Sequence, residues 1–214
     1  MGASHSQDCV DIDTVLQRTS AHGGDRIYHP RHTADARQTF DILRQRLPAE
    51  IVLEILEFAQ YWLQSCVQRE ERISYTESEC HDRTAYLKSY PIRGERSPVR
   101  QINIHIWSRD QGWSSYREDH GTFKNSWTWF VLDIDRPSGR EDISKDEDLR
   151  LATNVHAGKA LYHHEITYRA DQNLRWMKKL QAGDRISVVP RAQFPGWRNI
   201  VEKAAIEIYT TPDL

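Results

Sequence analysis

The hydrophobic periodicity after residue 100 constrains the fold of this chain most strongly. In the segment QINIHIW, residues 101–107, isoleucine at every second position alternates with polar or aromatic side chains. Side chains of a strand point alternately to its two faces, so this alternation predicts a half-buried β-strand. A second segment, residues 127–134, is apolar on both faces, which is typical of a central strand.

Further strands are predicted at residues 161–168, 185–190 and 200–209. Residues 136–148 are almost all charged or turn-forming and predict a solvated loop. Short strands with irregular connections and few helices favour two packed sheets. We therefore expect a mainly β fold, a jelly-roll-like β-sandwich spanning residues 86–210 with a short N-terminal helical segment.

The helical segment is expected at residues 33–68, after a polar arm at residues 1–32. A first helix should begin near Thr33, and a second should begin at Pro48 and run through IVLEILEFAQYWLQS. The glutamates of the second helix share one stripe, and its isoleucines, phenylalanine and tryptophan form a broad apolar face. That face must pack against its own domain, which we favour, or against a partner.

The composition excludes some classes of partner. The chain has 214 residues and a formal net charge of −2, so we expect no binding to nucleic acid or to an anionic membrane. No stretch approaches the ~20 apolar residues of a membrane span, and the N-terminus lacks the pattern of a secretory signal. The three cysteines form no CxxC pair, which favours a reducing compartment, and we expect a cytoplasmic protein.

Tryptophan is the unusual residue type, with seven in the chain. Trp113 and Trp197 each follow a glycine in a predicted turn, where an indole ring can be presented to a sugar or a planar small molecule. We predict a ligand-binding surface formed by Trp113, Trp197, Arg191, Asn199, Asp110 and Trp129. The alternative is that the indoles fill the ends of the sandwich and that Arg191 forms a surface ion pair.

The sequence assigns no catalytic residues. His164, Asp110 and His120 are weak candidates, because each could act as an acid or a base near the aromatic turns. No motif of a serine hydrolase, zinc protease or nucleotide-binding enzyme occurs. We expect no cofactor and no metal site, and it stays open whether the protein is an enzyme.

The segment LPAEIVLEILEFA, residues 47–59, resembles the first helix of an F-box, which has the form Leu-Pro-x-Glu-Ile followed by an Ile-Leu pair. F-boxes bind a Skp1-type adaptor of a ubiquitin ligase, so the resemblance implies such a partner. The remaining helices of an F-box are not recognisable after residue 62.

Three further segments, DQGWSS (110–115), HGTFKNSWTWF (120–130) and GDRISVVPRAQFPGWRNIVEKAAIEIY (183–209), resemble a family of uncharacterised fungal proteins. In that family a similar Leu-Pro helix precedes a Trp-rich β domain. The domain is also similar to galactose-binding-like jelly rolls. These resemblances imply a fold and no firm activity.

Three functions are compatible with these observations. The first is a ligand-binding module that recognises a small molecule or a glycan, and the second is a non-redox cyclase or isomerase of fungal secondary metabolism with an aromatic-lined pocket. The third is a ubiquitin-ligase substrate receptor. An enclosed pocket with a buried histidine or aspartate favours the enzyme, whereas an open groove favours the binding module.

Overall fold

The structure, a computed structural model, describes residues 28–80, 82–94, 98–137 and 149–214. Within them, two four-stranded antiparallel sheets pack face to face. Sheet A has the strand order β1-β8-β3-β6 and sheet B the order β2-β7-β4-β5. The strands are β1 (Leu63–Tyr75), β2 (Leu87–Lys88), β3 (Val99–Arg109), β4 (Thr128–Asp135), β5 (Arg150–Thr153), β6 (Tyr162–Arg169), β7 (Arg185–Ala192) and β8 (Asn199–Thr210). The prediction of a mainly β, sandwich-type fold is confirmed.

The core lies between the two sheets, as the period-two pattern predicts. Ile102, Ile104 and Ile106 of β3 are completely buried and belong to the same apolar cluster as Phe130 and Leu132 of β4. β4 lies between β7 and β5, so its prediction as a central strand is also confirmed.

The helices are short: α1 (Thr33–Arg44), α2 (Ala49–Phe58), α3 (Glu77–Cys80) and α4 (Arg175–Lys178). α1 and α2 pack together through Phe40, Val52 and Leu56. Arg100, at the start of β3, forms an ion pair of 2.8 Å with Glu57 of α2. This contact places the helix pair at the end of the sandwich where β3 begins.

The expected continuation of the second helix to residue 65 is wrong. The helix ends at Phe58, and Gln60 has a left-handed backbone with φ of 53° that turns the chain away. Residues 63–75 form β1, which pairs with β8 from Leu63 opposite Thr210 to Tyr75 opposite Asn199. The sandwich therefore includes a strand that the predicted domain 86–210 leaves out.

The charged composition of β1 explains this error. Only Leu63, Val67 and Tyr75 of the strand are buried, because β1 lies at the edge of sheet A. A register shift between Glu70 and Ile73 also interrupts the alternation.

β5 was not predicted either. The predicted loop lies outside the described residues except for residues 136 and 137, and so does the predicted arm except for residues 28–32.

Two observations concern the expected compartment. Among the described residues, no helix has the length and apolar character that crossing a bilayer requires. Cys66 is disulfide-bonded and Cys80 is a buried free thiol. The cytoplasmic location stays a prediction.

Candidate functional site

The antiparallel registers bring four connections to one end of the sandwich. Arg109 at the end of β3 lies opposite Ile200 of β8, and Ser108 lies opposite Tyr162 of β6. In sheet B, Thr128 of β4 lies opposite Ala192 of β7. We call this the loop end; it contains residues 76–80, 82–86, 110–127, 154–161 and 193–198. The helix pair is at the opposite end, which we call the helix end.

Several large aromatic side chains are exposed at the loop end. The indole of Trp113 is 66% exposed, and Trp197 is half-buried. Other exposed aromatic residues on the same connections are Tyr116, Phe123 and Phe194. Exposed aromatic rings from different loops are therefore concentrated at one end of the molecule.

The two glycines before these tryptophans have the backbone that the turns require. Gly112 has φ of +83° and Gly196 has φ of +90°. Side chains disfavour this region, so glycine is needed where the chain reverses just before each indole. As predicted, Trp113 and Trp197 each lie in a loop directly after a glycine at which the chain bends.

Gln111 connects the two tryptophan loops. Its side-chain Nε2 donates to the carbonyl of Trp113 at 2.8 Å, and its Oε1 accepts the backbone N–H of Arg198 at 3.2 Å. One amide therefore fixes the loop of Trp113 against the loop of Trp197. This proximity could not be derived from a separation of 84 residues in sequence.

Asp110 is completely buried and organises the loop end from inside. Its carboxylate accepts the backbone N–H groups of Gly112 at 2.7 Å and Ala157 at 2.6 Å. Burial raises the pKa of this carboxyl, and the backbone donors oppose the shift. The structure therefore gives Asp110 a loop-positioning role, and we leave it out of the ligand contact.

Asn199 is also completely buried. Its Oδ1 accepts from Asn154 Nδ2 at 2.9 Å, and its Nδ2 donates to the carbonyls of Trp129 and Arg191. Asn154 also bonds Ser108 of sheet A and Thr128 of sheet B. The two asparagines hold the sheets together below the loops, so Asn199 likewise does not face a ligand.

Arg191 and Trp129 lie opposite each other on neighbouring strands of sheet B. The guanidinium of Arg191 donates to the carbonyl of Cys80, and desolvation lowers its pKa. The ring of Trp129 lies 4.7 Å from the guanidinium of Arg150. Arg191 already has a partner in α3 and Trp129 has one in β5, and neither contacts Trp113 or Trp197 through these interactions.

The weak catalytic candidates do not come together. His164 is buried, with its Nε2 at 3.4 Å from Asn154 Oδ1, and desolvation followed by the charge of His163 lowers its pKa to about 4. His120 is exposed on the 110–127 loop, and its Nε2 donates to the carbonyl of Ser114 at 3.1 Å. Its closest aromatic neighbour is His156, a buried residue that sequence reasoning missed.

An open apolar groove of about 520 Å³ lies at the helix end. Its lining includes Leu53, Phe58, Trp62 and Leu214. Ile51, Leu53, Ile55 and Phe58 of α2 are exposed, and Phe58 is 91% exposed. Our expectation that this helix packs its apolar face on the sandwich is wrong, because only Val52 and Leu56 are buried.

A second open groove, of about 410 Å³, lies on sheet A beside Trp107. It is lined mainly by charged residues, including Glu70, Glu202 and Lys203. Neither groove is lined by the buried groups Asp110 or His156.

The chain was also compared with known proteins. No protein-family model matches it, and no curated protein does.

Proposed function

We propose that the protein is a ligand-binding β-sandwich module that recognises a small molecule or a glycan at its loop end. The observation that carries the proposal is the exposed indole of Trp113, on a loop that Gln111 joins to the loop of Trp197. A rigid exposed ring offers an apolar face to a sugar or a planar ligand at little cost in conformational entropy. Asp110 and Asn199 support the loops from below.

Tryptophan fluorescence tests this proposal. The full chain is titrated with a panel of glycans and small aromatic acids, and we expect at least one class to change the emission saturably. Trp113→Ala should weaken that binding at least tenfold, because losing a central aromatic contact costs about 2 kcal/mol or more and about 1.4 kcal/mol is tenfold. Phe58→Ala, which removes an exposed ring at the opposite end, is the matched control and should bind normally.

Two outcomes would refute the proposal. One is an emission spectrum that no glycan or aromatic acid alters. The other is a Trp113→Ala variant that binds with the affinity of the unaltered chain. Since the Trp113 ring is mostly exposed, this substitution should leave the fold intact, and circular dichroism can verify that.

We propose a ubiquitin-ligase substrate receptor as the second candidate, because none of the described residues covers the apolar face of α2. Ile51, Ile55 and Phe58 recur at helical spacing and are exposed. An exposed apolar helix face is typical of a protein–protein interface. Its position opposite the loop end would leave the loops free to contact a substrate.

A pull-down with a purified Skp1-type adaptor tests this alternative. Phe58→Ala should reduce capture, and Trp113→Ala, now the control, should not. If the unaltered chain does not bind the adaptor, the receptor function is excluded. We do not propose the cyclase or isomerase, because both described grooves are open and neither contains the buried His156 or Asp110.

A further inference from the structure

Two histidines from different loops meet at the loop end. The ring centroids of His120 and His156 are 5.6 Å apart, with 41° between the ring planes. The backbone brings them together, because Gly121 N–H donates to the carbonyl of His156 at 2.9 Å and His156 N–H donates to that of Thr122 at 2.7 Å. The arrangement is therefore part of the ordered loop structure.

The hydrogen bonds determine which nitrogen of each ring carries the proton. His156 Nδ1 lies 2.8 Å from the carbonyl oxygen of Lys124, and His120 Nε2 lies 3.1 Å from that of Ser114. A carbonyl can only accept, so both of these nitrogens are donors. In the neutral rings, His156 Nε2 and His120 Nδ1 then bear free lone pairs. His156 Nε2 is buried, and none of the described residues forms a hydrogen bond with it.

A second histidine pair, His105 and His163, has a different hydrogen-bond arrangement. His105 Nδ1 and His163 Nε2 are 3.2 Å apart, so one ring donates to the other and that lone pair is already used. This pair also lies beside a tryptophan, since the rings of His163 and Trp107 stack at 4.2 Å. In the His105–His163 pair two ring nitrogens bond each other, whereas no such bond joins the rings of His120 and His156 among the described contacts.

We propose that His120 and His156 bind a divalent transition cation such as Zn²⁺, Ni²⁺ or Cu²⁺ through these two nitrogens. Imidazole is a preferred ligand of these ions. Metal-binding histidines commonly donate their other N–H to a backbone carbonyl, which fixes the ring as both rings are fixed here. Metal–nitrogen bonds of about 2.0–2.1 Å at a tetrahedral angle place two ring centroids roughly 5 Å apart, close to the observed 5.6 Å.

The site would be an open one. In the described part of the chain, no group of three or more His, Cys, Asp or Glu side chains is arranged to hold a metal. Water or a bound ligand would fill the remaining coordination positions, and the affinity should be lower than that of a four-ligand structural zinc site. The ion should therefore exchange readily.

Trp197 provides the readout, because its ring lies 5.3 Å from that of His156. Titrating the full chain with Ni²⁺ or Cu²⁺ should quench fluorescence saturably, and Zn²⁺ should compete with the quenching ion. Trp197→Phe should remove most of the saturable signal. Lowering the pH should weaken binding, because protons compete with the metal for the imidazoles.

His120→Ala is the decisive variant, because His120 is exposed and its replacement should not disturb folding. We expect it to weaken metal binding at least tenfold, whereas His163→Ala, the matched control from the other pair, should bind normally. The proposal is overturned if the unaltered chain shows no saturable quenching. It is also overturned if His120→Ala binds as well as the control.

Discussion

Asn154 and Asn199 show how single buried residues position the loop end. Neither is exposed, and together they bond groups of both sheets. Buried polar groups that satisfy one another are costly to disrupt, because removing one side chain leaves several partners unsatisfied.

Replacing Asn154 with alanine should therefore destabilise the protein by roughly 2–4 kcal/mol. The variant removes the hydrogen bonds that Asn154 makes with the hydroxyls of Ser108 and Thr128 and with Oδ1 of Asn199. Urea unfolding measures the loss. Gln101→Ala, which removes one partly buried hydrogen bond on sheet A, should change stability much less. Equal losses in the two variants would mean that this pair of asparagines does not hold the loop end together.

His164 predicts a pH dependence of stability. Its folded-state pKa is lowered to about 4 from 6.5, so as the pH falls the unfolded state takes up the proton first. The stabilisation is complete above about pH 6.5 and is lost progressively toward about pH 4, with a total of about 3 kcal/mol. Urea unfolding over this range should show the decline, and His164→Gln should flatten it. If the free energy of unfolding of the variant falls with pH as steeply as that of the unaltered chain, His164 is not the cause of the decline.

The apolar residues of α2 fall into a buried set and an exposed set, which its sequence pattern does not distinguish. Its periodicity predicts one broad apolar face, but the structure buries only Val52 and Leu56 and leaves Ile51, Ile55 and Phe58 exposed. The sequence shows which side chains are apolar, but it does not show whether a neighbour within the chain covers them. The exposed residues are available to a partner.

Substitutions on the two sides of α2 should therefore behave differently. Leu56→Ala should cost about 2–5 kcal/mol, because it opens a cavity between α1 and α2. Phe58→Gln should change stability by less than about 0.5 kcal/mol, because that ring makes little buried contact. Thermal unfolding compares the two variants. A large loss for Phe58→Gln would show that the ring supports the fold instead of a partner surface.

On the scale of the whole molecule, the sandwich separates the two candidate surfaces. β3 has 11 residues between the helix end and the loop end, a span of about 35 Å. The loop aromatics and the exposed face of α2 therefore cannot contact the same small ligand. A protein that binds one partner at each end would have this arrangement.

The limits of the sandwich can be tested by shortening the chain. A chain that starts at residue 60 retains β1 and should unfold cooperatively, whereas one that starts at residue 86 should not. Without β1, Val67 and Tyr75 are missing from the core and the long strand β8 becomes an unpaired edge. Circular dichroism during heating distinguishes the two. Cooperative unfolding of the shorter chain would mean that β1 is dispensable.

The sequence by itself determined the strands whose side chains alternate regularly, and the glycines before Trp113 and Trp197. Both are local properties, because strand periodicity and a positive φ depend on neighbouring residues. Only the tertiary structure decided that the charged segment 63–75 is a strand, since its pairing with β8 compensates for a weak pattern. It also decided that Asp110 and Asn199 are buried while Trp113 is exposed, and that His120 meets His156. Those outcomes depend on which loops the antiparallel registers bring together. Contacts between residues far apart in sequence cannot be predicted from the local sequence around either residue.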